Sequence, residues 1–434
     1  MLDVTFEALR NGVRERQNQT CQAIVKVSSL YEGDGDFPIN LAIVIDKSGS
    51  MRGAKFQAAK DAASGLLQQL SKNDSASVTL YREDILALGQ ARGDEQENIR
   101  SLLTKLETEG TGGTTNLHKG WLEGASTIAS NTSSRSASRV LLLTDGMANE
   151  GITDEGTILS QVSALADRGI STSTIGIGEG FNEALLTQIA AYGQGNSYYG
   201  EEAEDLLDGY QEEFQALKHS SALNITLHVR PMRHVKLEIK NQYVKANGGW
   251  KLPHLSKGGE IQSLFDFWID SEAIDGKQTV AIARAFVTYQ DLDGEMHRSD
   301  VAWLKLDILP NEAFEALSEN VNVKKRNQEL EVAALRRRLQ TAAYNRDWTV
   351  AERLLRKAKR VAEGDEWLTQ SLSELENLIA KRNSSFVGKE AWYMADKLNK
   401  RQVAKDETAK YDTFEESEKA AYLRRKMSQG KRFI

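Results

Sequence analysis

Leu41-Ala-Ile-Val-Ile-Asp46-Lys-Ser48-Gly-Ser50-Met51 is the stretch whose reading decides the fold. A continuous apolar run of this length fits a strand covered on both faces, as in a parallel sheet. The run breaks into an acid and two alternate serines, so Asp46, Ser48 and Ser50 sit just past the strand's carboxyl end, where open α/β sheets bind ligands. A carboxylate with two hydroxyls on a tight turn makes part of a site for a hard divalent cation, which selects oxygen donors. Read alone, the string would serve equally well as a turn and helix cap. Two later segments can supply more oxygen: Gly112-Gly-Thr114-Thr115-Asn-Leu117, and Asp145 after the apolar run Val140-Leu-Leu-Leu-Thr144.

In this order, each after a strand-like run, the three segments resemble the von Willebrand factor type A domain and its metal-ion-dependent adhesion site. The family's Asp-x-Ser-x-Ser is matched by Asp46, Ser48 and Ser50, and its second aspartate, in a Thr-Asp-Gly turn, by Asp145. Its threonine, five residues before a helix glycine, matches Thr115 because Gly120 supplies that glycine; Thr114 is the neighbouring alternative. The likeness runs from about Ile39 to Leu217, with Ile170–Gly178 as a late core strand and Phe181–Ala191 as the helix after it. Thr144–Asn149 and Gly193–Tyr199 look most like the bacterial and inter-α-inhibitor-like branch. The resemblance implies Mg²⁺ held by these five residues, with an Asp or Glu of a partner protein as the incoming ligand; Mn²⁺ and Ca²⁺ also accept oxygen donors. Lys47, Met51, Arg52, Thr114 and Gly146 border the site and are the expected partner contacts. Lys47 and Arg52 would either steer a carboxylate or be ordinary surface residues, and Met51 would shape the turn. His118, a single imidazole at a helix start, reads as packing or solvent-facing.

At 434 residues the chain exceeds one typical core, so two or three domains are expected. A net charge of −7 argues against a general nucleic-acid binder, local exceptions aside. No stretch reaches the apolar length of a membrane span or a signal peptide, which with the lone Cys21 leads to an expectation of a cytoplasmic protein.

Strand and helix signals alternate over 39–217, the mark of a doubly wound, mostly parallel, Rossmann-like α/β sheet. Residues 218–309 alternate at period two, as in Leu223–Val229, Val235–Ile239 and Val280–Val287, and read as an antiparallel β-sandwich. Strand character at Thr20–Val27 leads to the expectation that residues 1–38 pair with these later strands, so that the sheet domain is inserted into a split sandwich. Residues 310–382 return to helical periodicity, with Leu335, Leu339, Leu354, Leu355, Leu368 and Leu372 on buried stripes, capped by Asp347 and ended by Gly364. Residues 383–434 read as a charged, flexible tail whose basic end could dock on an acidic partner.

Catalysis is not expected. Haloacid-dehalogenase-like phosphatases place a nucleophilic aspartate after the first parallel strand and a second acid two residues on, where Ser48 stands here. A phosphate-binding Gly-x-x-x-x-Gly-Lys loop and a His-Glu-x-x-His helix are also missing. The reading is of a non-enzymatic, metal-dependent adaptor or assembly subunit. The alternatives are a subunit of an ATP-driven metal-insertion or remodelling machine and, behind it, a phosphohydrolase.

Overall fold

The computed structural model describes residues 1–404 apart from 32–37, 131–135, 179, 201–204, 247, 275–276 and 292. The polar loop at 131–135, most of the acidic run 201–205 and the basic chain end lie outside the described residues.

Three strands open the chain: β1 (Leu2–Ala8), β2 (Gly12–Arg14) and β3 (Gln19–Ser29). The α/β unit follows as β4 (Ile39–Asp46), α1 (Ala54–Gln68), β5 (Ser75–Tyr81), β6 (Ile85–Arg92), α2 (Gln96–Thr108), α3 (Leu117–Ala129), β7 (Ala137–Thr144), α4 (Glu155–Ala166), β8 (Ile170–Ile177), α5 (Glu183–Tyr192), β9 (Gln194–Gly200) and α6 (Asp205–Lys218). Its sheet has the order β6-β5-β4-β7-β8-β9, parallel except for the antiparallel edge strand β6. Alternation along β4 explains the double winding. Leu41, Ile43 and Ile45 join one core with α1, α2 and α6, while Ala42 and Val44 join the other with α3, α4 and α5. Chain order reverses at β4, between β5 and β7, which opens a crevice at the carboxyl end of β4.

The chain then forms β10 (Ser220–Pro231), β11 (Val235–Ile239), β12 (Lys245–Ala246), β13 (Gly249–Lys251), β14 (Leu255–Ser256), β15 (Gly259–Ile269), α7 (Ser271–Ile274), β16 (Thr279–Gln290), β17 (Met296–Arg298) and β18 (Ala302–Leu309). These make two sheets over one apolar core. β1 and β3 pair into the sheet of β15 and β11, and β2 pairs with β18 at the edge of the other. The sandwich is therefore split, with the α/β unit inserted between β3 and β10. Cys21, on β3, stands opposite Phe267, and burial first, with the Asp266 charge second, pushes its thiol up to about 12, which disfavours the reactive thiolate.

A helical module closes the fold: α8 (Asn311–Glu315), α9 (Val321–Tyr344), α10 (Trp348–Val361), α11 (Glu366–Ala380) and α12 (Ser384–Lys400), then β19 (Gln402–Ala404), which pairs with β15. Asp347 caps α10 by accepting from the Val350 amide. The expectation of a solvated tail from residue 383 is corrected here, because α12 packs along α9 and carries Val387, Ala391, Ala395 and Leu398 into the helical core. Its polar residues misled by composition. Lys389 is buried against Glu183, Asp396 pairs with Lys400, and Asn399 accepts from the buried Arg326. Among the described residues no helix is long and apolar enough to cross a membrane.

Candidate metal centre

Asp46 ends β4 and is fully buried. One carboxylate oxygen accepts the Ser48 amide at 2.8 Å, and the other accepts the Thr144 hydroxyl at 2.7 Å. The turn of Gly49–Met51 follows, and Gly53, at φ +87°, releases the chain into α1. This turn holds Ser48 Oγ 3.1 Å from Ser50 Oγ, and Ser50 Oγ donates to Asp145 Oδ1 at 2.6 Å. Asp145 follows β7, the neighbour of β4, so sheet register alone brings the two carboxylates to one edge.

Thr115 arrives from the loop before α3. The Gly112 amide donates to the Lys47 carbonyl at 2.9 Å, and the Gly49 amide to the Gly113 carbonyl at 3.1 Å, which ties this loop to the first. Gly113 stands at φ +84° where a Cβ would collide with the Glu83 carboxylate. The Thr115 amide donates to Asn149 Oδ1 at 2.9 Å, and the Asn149 amide returns to the Thr115 carbonyl at 3.2 Å, tying it to the Asp145 loop as well. Asn116 then caps α3. Gly120 and Gly124 let this helix lie against Tyr81 and Val44, where a Cβ at either would collide with those side chains. Ser50 Oγ and Thr115 Oγ1 each lie 3.5 Å from the position a Cβ on Gly146 would take, so a bare glycine keeps the space between the hydroxyls open.

Two carboxylates and three hydroxyls therefore converge on one sheet edge. Asp46, Ser48, Thr115 and Asp145 are buried and Ser50 is exposed, which leaves the group open on one side. Burial raises the Asp46 carboxyl to about 6, with Asp145 nearby pushing the same way and the Thr144 and Ser48 hydrogen bonds opposing. A concentration of buried negative charge with neutral oxygen donors suits a hard dication, which would relieve both the desolvation and the repulsion.

The expected rim differs in part from the sequence reading. Arg52 and Thr114 are exposed there, and the Thr114 hydroxyl bonds Glu150. Lys47 instead turns inward to pair with Glu109 at 3.0 Å, and Met51 is fully buried in the core beneath the turn, so neither side chain presents a surface to a partner. Gly146 faces the hydroxyls rather than the rim. His118 is buried beside Trp121 with its Nε2 2.7 Å from Gln161. Sequence reasoning missed Lys55, whose ammonium lies 2.6 Å from Asp145 Oδ2, and the role of Thr144 in holding Asp46. The position of Lys55 in the first turn of α1, after the serine turn, was the available signal.

The family profile of the von Willebrand factor type A domain matches residues 40–213. An uncharacterised Synechocystis protein is 29% identical over 49% of this chain and 50% of its own length. The uncharacterised protein YfbK of Escherichia coli is 31% identical over 37% of this chain and 28% of its own, and inter-alpha-trypsin inhibitor heavy chain H3 of Pongo abelii is 30% identical over 41% and 21%. The chain thus spans half or less of the length of these relatives. Among solved structures, von Willebrand factor type A from Catenulispora acidiphila aligns with a TM-score of 0.71, at 18% identity, over 86% of this chain and 89% of that one. The ArnB paralog VWA2 from Sulfolobus acidocaldarius aligns at 0.64, with 19% identity, over 92% and 98%. Both likenesses extend through the sandwich and the helices, and at such identity they speak to the fold. Residues 40–213 of this chain are a von Willebrand factor type A domain.

Proposed function

We propose that this protein is a non-enzymatic adaptor or assembly subunit that captures an Asp or Glu of a partner protein through a divalent cation, Mg²⁺ in the cell, held by Asp46, Ser48, Ser50, Thr115 and Asp145. The observation that carries the reading is the convergence of two carboxylates and three hydroxyls around the space beside Gly146, with Ser50 open to solvent. Two acids and three neutral donors leave the charge of a dication incompletely matched, so a carboxylate from outside gains most at the open side. The cation would supply electrophilic attraction; the chain's own residues orient it, through the Thr144 bond on Asp46 and the Asn149 clamp on Thr115. Ser48 stands where a phosphatase of this arrangement would need its second acid, which weighs against turnover. We place the protein in the cytoplasm, where Cys21, its one cysteine, would stay reduced.

Affinity capture from native lysate on the immobilised protein tests this. A partner retained with Mg²⁺, released by chelator and lost with Asp46→Ala is the expected outcome. Retention indifferent to both chelator and Asp46→Ala overturns it, and phosphatase turnover that disappears in Asp46→Asn would favour the enzyme reading instead.

A further inference from the structure

The net charge of −7 hides a face of opposite sign. In the eight-stranded sheet of the sandwich, ordered β12-β13-β10-β16-β18-β2 with β14 and β17 attached, Asp307 is the one acidic residue in any strand. Two of its cations are committed elsewhere, Arg14 to Glu315 and Lys251 to Asp167. Arg230, Arg284, Arg298 and Lys305 are exposed and form no ion pair among the described residues.

Strand register gathers these four on the solvent side. Arg230 stands directly opposite Arg284, and Arg284 directly opposite Trp303, so one row crosses three adjacent strands. Lys305 is two residues along from Trp303, with its ammonium 6.0 Å from that ring. The Arg298 guanidinium lies 3.9 Å over the Phe286 ring, and His228 stacks on that ring at 4.7 Å. Like charges directly opposite each other on a sheet cost stability. Here no ion pair among the described residues offsets that cost, Asp307 lying beyond Lys305 toward the end of β18, and Trp303 stays 47% exposed among the cations.

We propose that this face docks a short, extended acidic segment of a partner protein. Cations on neighbouring strands and at alternate positions are spaced by about 5 and about 7 Å, which matches carboxylates at alternate residues of an extended peptide. Arginine and tryptophan together are the side chains that carry most energy in protein interfaces, and Trp303 supplies the apolar anchor beside Arg284. A single-stranded nucleic acid fits less well. Sheet surfaces that bind one offer several aromatic platforms, whereas Phe286 is enclosed between His228 and Arg298 and Trp303 stands alone. A strand continuing past the patch would also meet a chain of net negative charge. The face lies on the sandwich and owes nothing to the metal centre.

Fluorescence anisotropy with the full chain in EDTA tests the proposal, with a labelled dodecapeptide of alternating Glu and Thr as probe and a heptathymidylate of equal charge as competitor. Binding at low salt that weakens about tenfold or more in Arg284→Glu/Arg298→Glu is expected, against about twofold or less in the charge-matched control Arg353→Glu/Arg356→Glu on α10. Trp303→Ala, which leaves net charge unchanged, should weaken the peptide about fivefold. Three results overturn the proposal: no peptide binding at low salt, equal losses in both double variants, or an oligonucleotide that binds about tenfold tighter than the peptide and depends on Trp303. Circular dichroism of each variant separates lost binding from lost folding.

Discussion

Lys55→Met should raise the affinity of this protein for Mg²⁺ or Mn²⁺. The Lys55 ammonium lies 2.6 Å from Asp145 Oδ2; the carboxylate is fully buried and the lysine about a third exposed. Coulomb's law assigns such a contact about 2 kcal/mol in a water-like dielectric and about 6 kcal/mol at an effective dielectric near 20. A flexible lysine with this much exposure realises the lower end, about 1–2 kcal/mol after screening. A cation engaging Asp145 has to replace that pairing and also sits close to a fixed positive charge, so both effects oppose it. Removing the ammonium while keeping the length of the side chain should therefore tighten binding about tenfold. Titration calorimetry with Mn²⁺ reads the affinity directly. Thermal melting gives the complementary sign: the metal-free variant should melt lower, because two buried carboxylates lose their cation, and the rise on adding Mg²⁺ should grow. An unchanged or weakened affinity would refute the reasoning and make Lys55 a supporting part of the site.

Three further perturbations follow from the packing. Gly120→Ala sets a Cβ into the fully buried Tyr81 ring, and overpacking of about 1–3 kcal/mol should exceed the roughly 1 kcal/mol gained in helix propensity; urea denaturation measures the difference, and a stabilised variant would contradict it. Lys389→Met removes the ammonium 3.6 Å from Glu183 and 3.6 Å from the Phe181 ring centre, leaving a mostly buried carboxylate. The expected cost is about 3 kcal/mol, with faster hydrogen exchange in α5 and α12; unchanged exchange there would show that the pair does not fasten the two helices. His254 is held well below the usual imidazole value by burial first and by Arg139 second, so it is neutral in the fold and takes up a proton on unfolding below about pH 6.5. Its contribution is fully present above that pH and is lost as pH falls, at up to about 1.4 kcal/mol per unit. The pH 5–6.5 slope of stability should therefore flatten in His254→Gln relative to the wild type, and equal slopes would reject this.

How much of the molecule was legible depended on whether a feature is local. The Asp46–Ser50 turn could be read because a strand, an acid and two hydroxyls lie within a few residues, and Thr115 and Asp145 could be added because each has its own short frame around it. The doubly wound sheet and the split sandwich followed from period-two and helical patterns. Side-chain direction on a tight turn carries no such period, so Lys47 and Met51 read as rim residues although one pairs inward with Glu109 and the other packs beneath the turn. Edge strand β6 was missed because its burial does not alternate at period two, and the pairing with β5 shifts register between Val78 and Thr79, so Ile85–Arg92 lacks the pattern of a half-buried strand. The cationic sheet face was invisible in a whole-chain charge, since Arg230, Arg284, Arg298 and Lys305 are scattered in sequence and gathered only by register.

The helix α12 was hidden for a related reason, and it changes how the metal centre is supported. Lys389 and Tyr393 look like surface residues, yet Lys389 caps the Phe181 ring and pairs with Glu183, while Tyr393 stacks on Tyr199 at 5.4 Å. Trp392 donates from its indole to Thr187 at 2.7 Å, and Tyr344 and Gln340 of α9 bond Glu183. These contacts fix α5 and the loop that enters it. Gly180 in that loop lies so close to Asp145 that a Cβ there would be 2.8 Å from the Asp145 carbonyl oxygen, and the Phe181 ring fills the space Gly176 leaves on β8. A continuous packed path therefore joins the carboxylate at the sheet edge to a helix nearly 250 residues away in the chain. The Asp145 backbone is thus backed by Gly180 and Phe181, against which Lys389 of α12 packs, so the helical module supports the chain behind one candidate ligand, and the buried Lys389–Glu183 pair is part of that support.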